Sequence, residues 1–251
     1  MRTRLDRRLV EEGLAPTRTR AEALIRAGRV LVDDTPVEKP GTAVKPEAQV
    51  RVRGGERRFV SRGGEKLAGA LADLGVDVRE RLCLDVGSST GGFTDCLLRA
   101  GARHVVGVDV GYGQLDPALR EDPRVTVLER TNARTLGPGD VPDGIELVTV
   151  DVSFISARRI LPALRAVAQC AELLILVKPQ FEVGRERVGK GGVVRDEALR
   201  VGAAASVQEA AELLGWRAAG QADSCLRGPR GNLEIFLWLI PQTAGHKREI
   251  D

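Results

Sequence analysis

The stretch LCLDVGSSTGGFTDCLLRAGARHVVGVDV, residues 82–110, decides the fold. An apolar run (82–86) breaks into a glycine-rich turn, a helical stretch runs to Ala100, and a second apolar run ends in Asp109. This is strand, turn, helix, strand. Outward along the chain, RVTVLE (124–129), IELVTVDV (145–152), AELLILVKP (171–179) and NLEIFLWLI (232–240) repeat the apolar run between amphipathic segments. The alternation predicts an α/β domain with an open, mostly parallel, Rossmann-like sheet and helices on both faces. Ligands of such sheets gather at the carboxyl ends of the strands, where the polar residues of this chain sit.

The rest of the composition narrows the class. With 251 residues, 43% hydrophobic and 29% charged, the chain can bury a full core, which excludes disorder and collagen-like structure. No apolar run approaches the roughly 18 residues of a spanning helix. The basic start MRTRLDRRLV leads into no apolar secretory segment, so cytoplasmic residence is expected. Four cysteines without a CxxC pair, and only two histidines, give no metal site; the thiols are expected to be buried and reduced.

Charge divides the chain. Residues 1–66 hold sixteen Lys and Arg against ten Asp and Glu, a balance of +6, and the remainder carries −3. A basic segment on a mildly acidic body suggests a polyanion-binding module joined to a domain with another task. Leu5, Leu9 and Val10 recur at helical spacing before Gly13. A second helix has a capping-box pattern at Thr19 and Glu22, a stripe of Ala21, Leu24 and Ile25, and Gly28 as its stop. RVLVDD and QVRVR then alternate, giving a small α+β module. Arg4, Arg7, Arg8, Arg18 and Arg20 lie at or beside the helix starts, suited to phosphates.

GlyGly at 54–55 and ERRFVSRGGEK break the alternation before Leu67, Leu71 and Leu74 resume helical spacing up to Gly75. The expected division is a binding module at 1–55, a linker at 56–63 and the large domain at 64–251.

The glycine turn after the first strand contains Gly87, Gly91 and Gly92, which permit close backbone approach. Ser88, Thr90 and Phe93 complete the loop, and Asp109 on the next strand is suitably placed for ribose hydroxyls. The ligand is a dinucleotide or S-adenosylmethionine. The spacing departs from G-x-G-x-x-G, and Asp85 before the first glycine would repel a pyrophosphate but suit a sulfonium and an amino group, which favours the methyl donor. Asn132 follows the third strand as a candidate for the adenine edge. Asp151 and Lys178 end the fourth and fifth strands, where a charge closing an apolar strand points to a shared cleft. Residues 180–196 are long, glycine-rich and charged for a connection, and predict a mobile substrate loop whose Arg185, Arg187 and Lys190 hold an RNA backbone.

These motifs carry a resemblance. RLDRRLVEEGLAPTRTRAEALIRAGRVLVDD resembles the alpha-L RNA-binding module, covering about residues 2–53. It implies recognition of structured RNA by shape and charge. SRGGEKL, LDVGSSTGGFTD, VDVSFIS, LVKPQFE, GKGGVVRD and GNLEIFLW resemble the FtsJ-like class of ribose 2′-O-methyltransferases. Together the two parts resemble the TlyA family, also called haemolysins. The resemblance implies a class I methyltransferase using S-adenosylmethionine, with a Lys-Asp-Lys-Glu tetrad that falls on Lys66, Asp151, Lys178 and Glu234. It implies cytidine ribose in 16S and 23S ribosomal RNA as substrate, and ribosomal RNA or ribosomal subunits as partner. Lys178 is then the expected base for the 2′-hydroxyl, with Asp151 positioning it and Lys66 and Glu234 holding the ribose. The rival readings are a membrane-active haemolysin, which 3% aromatic residues supports poorly, and a non-catalytic RNA-binding assembly factor, which an intact tetrad opposes.

Overall fold

The computed structural model describes residues 2–33, 35–53 and 58–242, without the side chain of Arg185. The chain divides into two compact units, Met1–Arg58 and Phe59–Asp251.

In the first unit, helices Leu5–Glu11 and Arg18–Arg26 bury Leu5, Leu9, Ala21, Leu24 and Ile25 against Val30 and Val44. Val30–Val32 pairs antiparallel with both Thr35–Pro36 and Val50–Val52, and Thr3–Arg4 pairs with Ala43–Val44. One expectation is corrected. The second helix is capped by Thr17, whose hydroxyl accepts from Arg20 N at 3.2 Å, and not by Thr19. Thr17 is itself extended, at φ −141° and ψ 158°, as a cap requires. The expected stop holds, with Gly28 at φ +65° donating its N–H to Ile25 O.

The large unit is a seven-stranded sheet. Its strands are β1 (Leu82–Val86), β2 (His104–Val108), β3 (Val125–Leu128), β4 (Leu147–Val150), β5 (Glu172–Val177), β6 (Trp216–Asp223) and β7 (Ile235–Pro241). The order is β6-β7-β5-β4-β1-β2-β3, parallel from β5 to β3, with β7 antiparallel to both β5 and β6. The order reverses between β1 and β4, the switch point where such sheets open a crevice.

Alternating side chains fill two layers. Leu84, Val86, Val148, Val150, Ile175 and Val177 face one side with helices Leu161–Val167 and Glu197–Glu212. Cys83, Leu147, Leu174 and Phe236 face the other, under helices Arg62–Leu74 and Gly92–Arg99. The connection expected at 56–63 divides. Residues 54–57 lie outside the described residues, while Phe59 is buried in the second layer and Ser61 caps the helix that starts at Arg62.

Strand β6 has no counterpart among the apolar runs. WRAAGQAD pairs at the sheet edge, where small and polar residues suffice, so it lacks the β-branched signature. It is anchored by Trp216, fully buried, whose indole N–H donates to Ala171 O at 2.9 Å. The cysteines are also partly reassigned. Cys83 and Cys96 are buried, with desolvation pushing the Cys83 thiol up to about 12, but Cys170 and Cys225 are exposed. Among the described residues no helix is long and apolar enough to cross a membrane, and no cluster of ligands for a metal ion is present.

Candidate active site

The carboxyl edge of the sheet gathers the site. Register places the donors: Val86 and Val150 are partners, Val150 aligns with Ile175, and Val177 pairs with Ile235. Asp151, Lys178 and Glu234 therefore stand at the ends of three neighbouring strands, about 5 Å from one strand to the next. Asp151 leaves β4, Lys178 leaves β5, and Glu234 precedes β7, which reaches the same edge only because it runs antiparallel.

Two lysine–carboxylate pairs result. The Lys178 ammonium lies 2.5 Å from Asp151 Oδ1 and donates to Ser153 Oγ at 2.9 Å. Lys66, on the helix Arg62–Leu74, pairs with Glu234 Oε2. Lys66 and Glu234 are both buried, and Glu234 Oε1 has no hydrogen-bond partner among the described residues. A buried carboxylate oxygen left unpaired costs about 1–3 kcal/mol, so it is an acceptor awaiting a donor. All four tetrad residues thus sit as two pairs.

The glycine turn adjoins them. Gly87 has φ +87°, and a Cβ there would stand 2.5 Å from Asp151 O. Only glycine fits, in conformation and in space. Gly91 (φ +93°) would drive a Cβ into Leu115 and Leu119, and Gly92 into Ser61 and Gly64. Ser89, at φ +48°, continues the turn, and its N–H donates to Asp109 Oδ2 at 2.9 Å. Gly111 N–H donates to Asp109 Oδ1 at 2.6 Å. Asp109 therefore ties the first strand's loop to the second strand's loop, and each of its oxygens retains a lone pair for a hydroxyl. Beside it Val110 is 70% exposed, an apolar side chain held in water where the flat face of a purine would cover it. Carboxylate, glycine turn and exposed valine together suit an adenosine-bearing donor.

Not every candidate faces the cleft. Phe93 is buried and stacks on Phe236 at 6.0 Å, so its ring belongs to the core and not to a donor pocket. Asp85 is also turned inward. It is fully buried and accepts from Thr94 Oγ1 at 2.7 Å and Thr149 Oγ1 at 3.1 Å. Burial pushes its carboxyl up to about 7, against the pull of the two hydroxyls. Its oxygens thus tie the first strand to helix Gly92–Arg99 and to β4, and the carboxylate expected from the sequence to oppose a pyrophosphate does not face the cleft. Ser88 is buried and accepts Gly91 N–H through its carbonyl, while Thr90 is exposed. Asn132 is exposed and spends its carbonyl capping Arg134 N, leaving its amide N–H₂ outward.

Sequence reasoning missed several neighbours. Phe154 is 89% exposed at φ +66°, its ring 5.4 Å from that of Phe181. An aromatic residue in the left-handed region at the mouth of a site is held there at a cost. The two rings line an open cleft of about 670 Å³ with Arg158, Arg159, Gln180 and Glu182. Glu182 pins the cleft's two loops together, accepting from Ser156 Oγ at 2.5 Å and Ala157 N at 2.7 Å, and burial raises its carboxyl above the usual range. Within residues 180–196, Arg187 and Lys190 are exposed, whereas Val194 is buried. Asn232 holds the carboxyl-terminal part of this loop through Val194 N–H at 2.9 Å and Gly192 O at 2.8 Å. Asn232, a turn residue by composition, gave no signal of a second task.

In the first unit Arg4, Arg7, Arg18 and Arg20 are all exposed. Arg8 is not available: it is largely covered, and its guanidinium donates to the carbonyls of Lys45, Pro46 and Ala48.

A Rossmann-like sheet of this order, with a glycine turn and two lysine–carboxylate pairs at its crevice, one buried and one partly exposed, has the frame of a methyltransferase. The comparisons agree. The FtsJ-like methyltransferase family matches residues 59–240, and the S4 domain matches residues 3–50. The 16S/23S rRNA (cytidine-2′-O)-methyltransferase TlyA of Mycobacterium tuberculosis is 52% identical over 96% of this chain and 91% of its own. Hemolysin A of Brachyspira hyodysenteriae is 38% identical over 94% and 99%. A solved structure from Streptococcus thermophilus, provisionally described as a haemolysin, is 37% identical with a TM-score of 0.75, covering 96% of this chain and 89% of that one. The chain belongs to the TlyA family of FtsJ-like methyltransferases, and it is an enzyme.

Proposed function

We propose that this enzyme transfers a methyl group from S-adenosylmethionine to a ribose 2′-hydroxyl of ribosomal RNA, on cytidine as the name of its 52% identical relative states. The observation that carries the reading is the Lys178–Asp151 pair standing one strand from Glu234 and against the glycine turn. S-adenosylmethionine, when bound, supplies a methyl group already activated on a sulfonium. Asp109 would accept the hydroxyls of its ribose, and Val110 would cover its purine. Lys178 would take the proton of the 2′-hydroxyl as that oxygen bonds to the methyl carbon and the methyl group's bond to sulfur breaks. Asp151 and Ser153 fix the amine's direction, and Lys66 with the unpaired oxygen of Glu234 holds the ribose.

The exposed ring of Phe154 offers a stacking face for the base lifted out to reach the site. Arg4, Arg7, Arg18 and Arg20, with Arg187 and Lys190, engage phosphates; Arg185 joins them by sequence alone, its side chain lying outside the described residues. A ribosomal substrate is met in the cytoplasm. The test is incubation of purified ribosomal subunits with enzyme and labelled donor, followed by mapping of 2′-O-methylated nucleotides. Label at one ribose supports the reading. Leakage from liposomes without donor, and no label, would replace it with a membrane-active protein.

A further inference from the structure

Among the described residues, the basic unit has one fully buried acid. Asp6 is fully buried, yet both its oxygens are spent on residues at the surface. Oδ1 accepts from Arg4 Nε at 3.1 Å and from the backbone N–H of Arg7 at 2.9 Å. Oδ2 accepts from Arg4 Nη2 at 2.9 Å and from Arg18 Nε at 3.0 Å. The side chains of Arg4 and Arg18 are nevertheless 53% and 61% exposed. Among the described residues, Nη1 of Arg4 and both terminal nitrogens of Arg18 have no hydrogen-bond partner. One carboxylate therefore grips two guanidinium groups by their inner edges, 14 residues apart in sequence, and leaves their outer edges to solvent.

We infer that Asp6 is a positioning residue for RNA docking: it clamps Arg4 and Arg18 into one preformed phosphate-binding pair. The inference rests on the reading of this unit as RNA-binding. Two guanidinium groups this close repel each other, and each carries rotamer entropy that a phosphate would otherwise have to overcome. A shared carboxylate neutralises the first problem and removes the second in advance. Glu22 also lies 3.7 Å from Arg18 Nε and 3.1 Å from Arg26 Nη2, so three arginines face two acids and the cluster keeps a surplus positive charge; Arg4 beside Asp6 holds its carboxyl down to about 2, so the clamp persists at every working pH.

The sign of the effect separates this role from simple charge. Asp6→Asn removes a negative charge beside a polyanion site, so electrostatics alone demands tighter binding. The clamp demands the reverse: about tenfold weaker affinity for purified ribosomal subunits, a higher KM and an unchanged kcat at saturating subunits. A merely structural acid would lower thermal stability and cost the same in any background. The clamp predicts that Asp6→Asn costs little more once Arg4 and Arg18 are already alanine. Should Asp6→Asn not fold, Arg4→Ala, Arg18→Ala and their double variant decide the matter. Losses that are less than additive support one shared site, and strictly additive losses overturn it. Equal or tighter binding by folded Asp6→Asn also overturns the clamp. Wild-type protein that binds no subunits would instead overturn the RNA-binding reading itself.

Discussion

The two units handle charge in opposite ways. In the first, most arginines stand in water, and several pair with exposed or half-buried glutamates four residues away, such as Arg7–Glu11 and Arg26–Glu22. Such pairs contribute only a few tenths of a kcal/mol each. In the second, Lys66 and Glu234 meet while almost wholly buried, and Lys178 and Asp151 are mostly covered. Breaking a buried pair leaves a charge uncompensated, which costs about 3–5 kcal/mol. Exposed charge suits docking on a varied polyanion; buried charge suits holding two or three atoms in one arrangement.

The contrast can be broken most sharply at Lys178. Lys178→Ala should lower single-turnover methyl transfer by 1000-fold or more, about 4 kcal/mol or greater, with donor and subunit affinities within a few-fold. Near-wild-type rates would show that the buried pair has no chemical task. Next comes Asp109→Ala, which deletes two charge-assisted acceptors and should weaken S-adenosylmethionine by about 2–4 kcal/mol in calorimetry. Unchanged affinity in a folded variant would move the donor elsewhere.

Asp85 sharpens the comparison as a buried acid without a cation. Its folded carboxyl lies near 7, above the unfolded value, so the folded state holds the proton more tightly. The stability this contributes is complete below about pH 4 and is lost as pH rises through 7. Asp85→Asn cannot lose a proton. Relative to wild type it should therefore gain on the order of 2 kcal/mol between pH 5 and pH 8 in denaturant titrations. Parallel curves would contradict the assignment. The smallest effect belongs to the exposed arginines: Arg20→Glu should cost about 1 kcal/mol of subunit affinity and flatten its salt dependence, with thermal stability unmoved. A large stability loss would mean that the surface charge is structural after all.

The sequence exposed most of this plan, for physical reasons that vary by residue. Strands β1, β2, β4, β5 and β7 are near-continuous apolar runs because both their faces are covered, and such runs are legible; the edge strand β3 still shows Val125, Val127 and Leu128. Strand β6 was not, since an edge strand with Arg217, Ala218, Gly220 and Gln221 carries no β pattern. The tetrad was visible through motif resemblance; its division into Lys178–Asp151 and Lys66–Glu234 depends on register, which no local pattern encodes. Phe93 and Asp85 were misdirected because residues in a turn alternate between cleft and core, and the sequence does not say which way each side chain falls. Phe154 and Asp6 went unread for the opposite reason: each looked ordinary until its exposure was known.

Glu234 reaches the site from a strand that runs against its neighbours, and its partner Lys66 is 168 residues earlier. On the ribosome that makes this enzyme, the basic unit and Lys66 emerge long before Glu234 is synthesised. A polypeptide stalled or cut short anywhere between them would carry the surface for grasping RNA and none of the completed site. Truncation between residues 66 and 234 therefore separates the basic unit from the completed lysine–carboxylate pair.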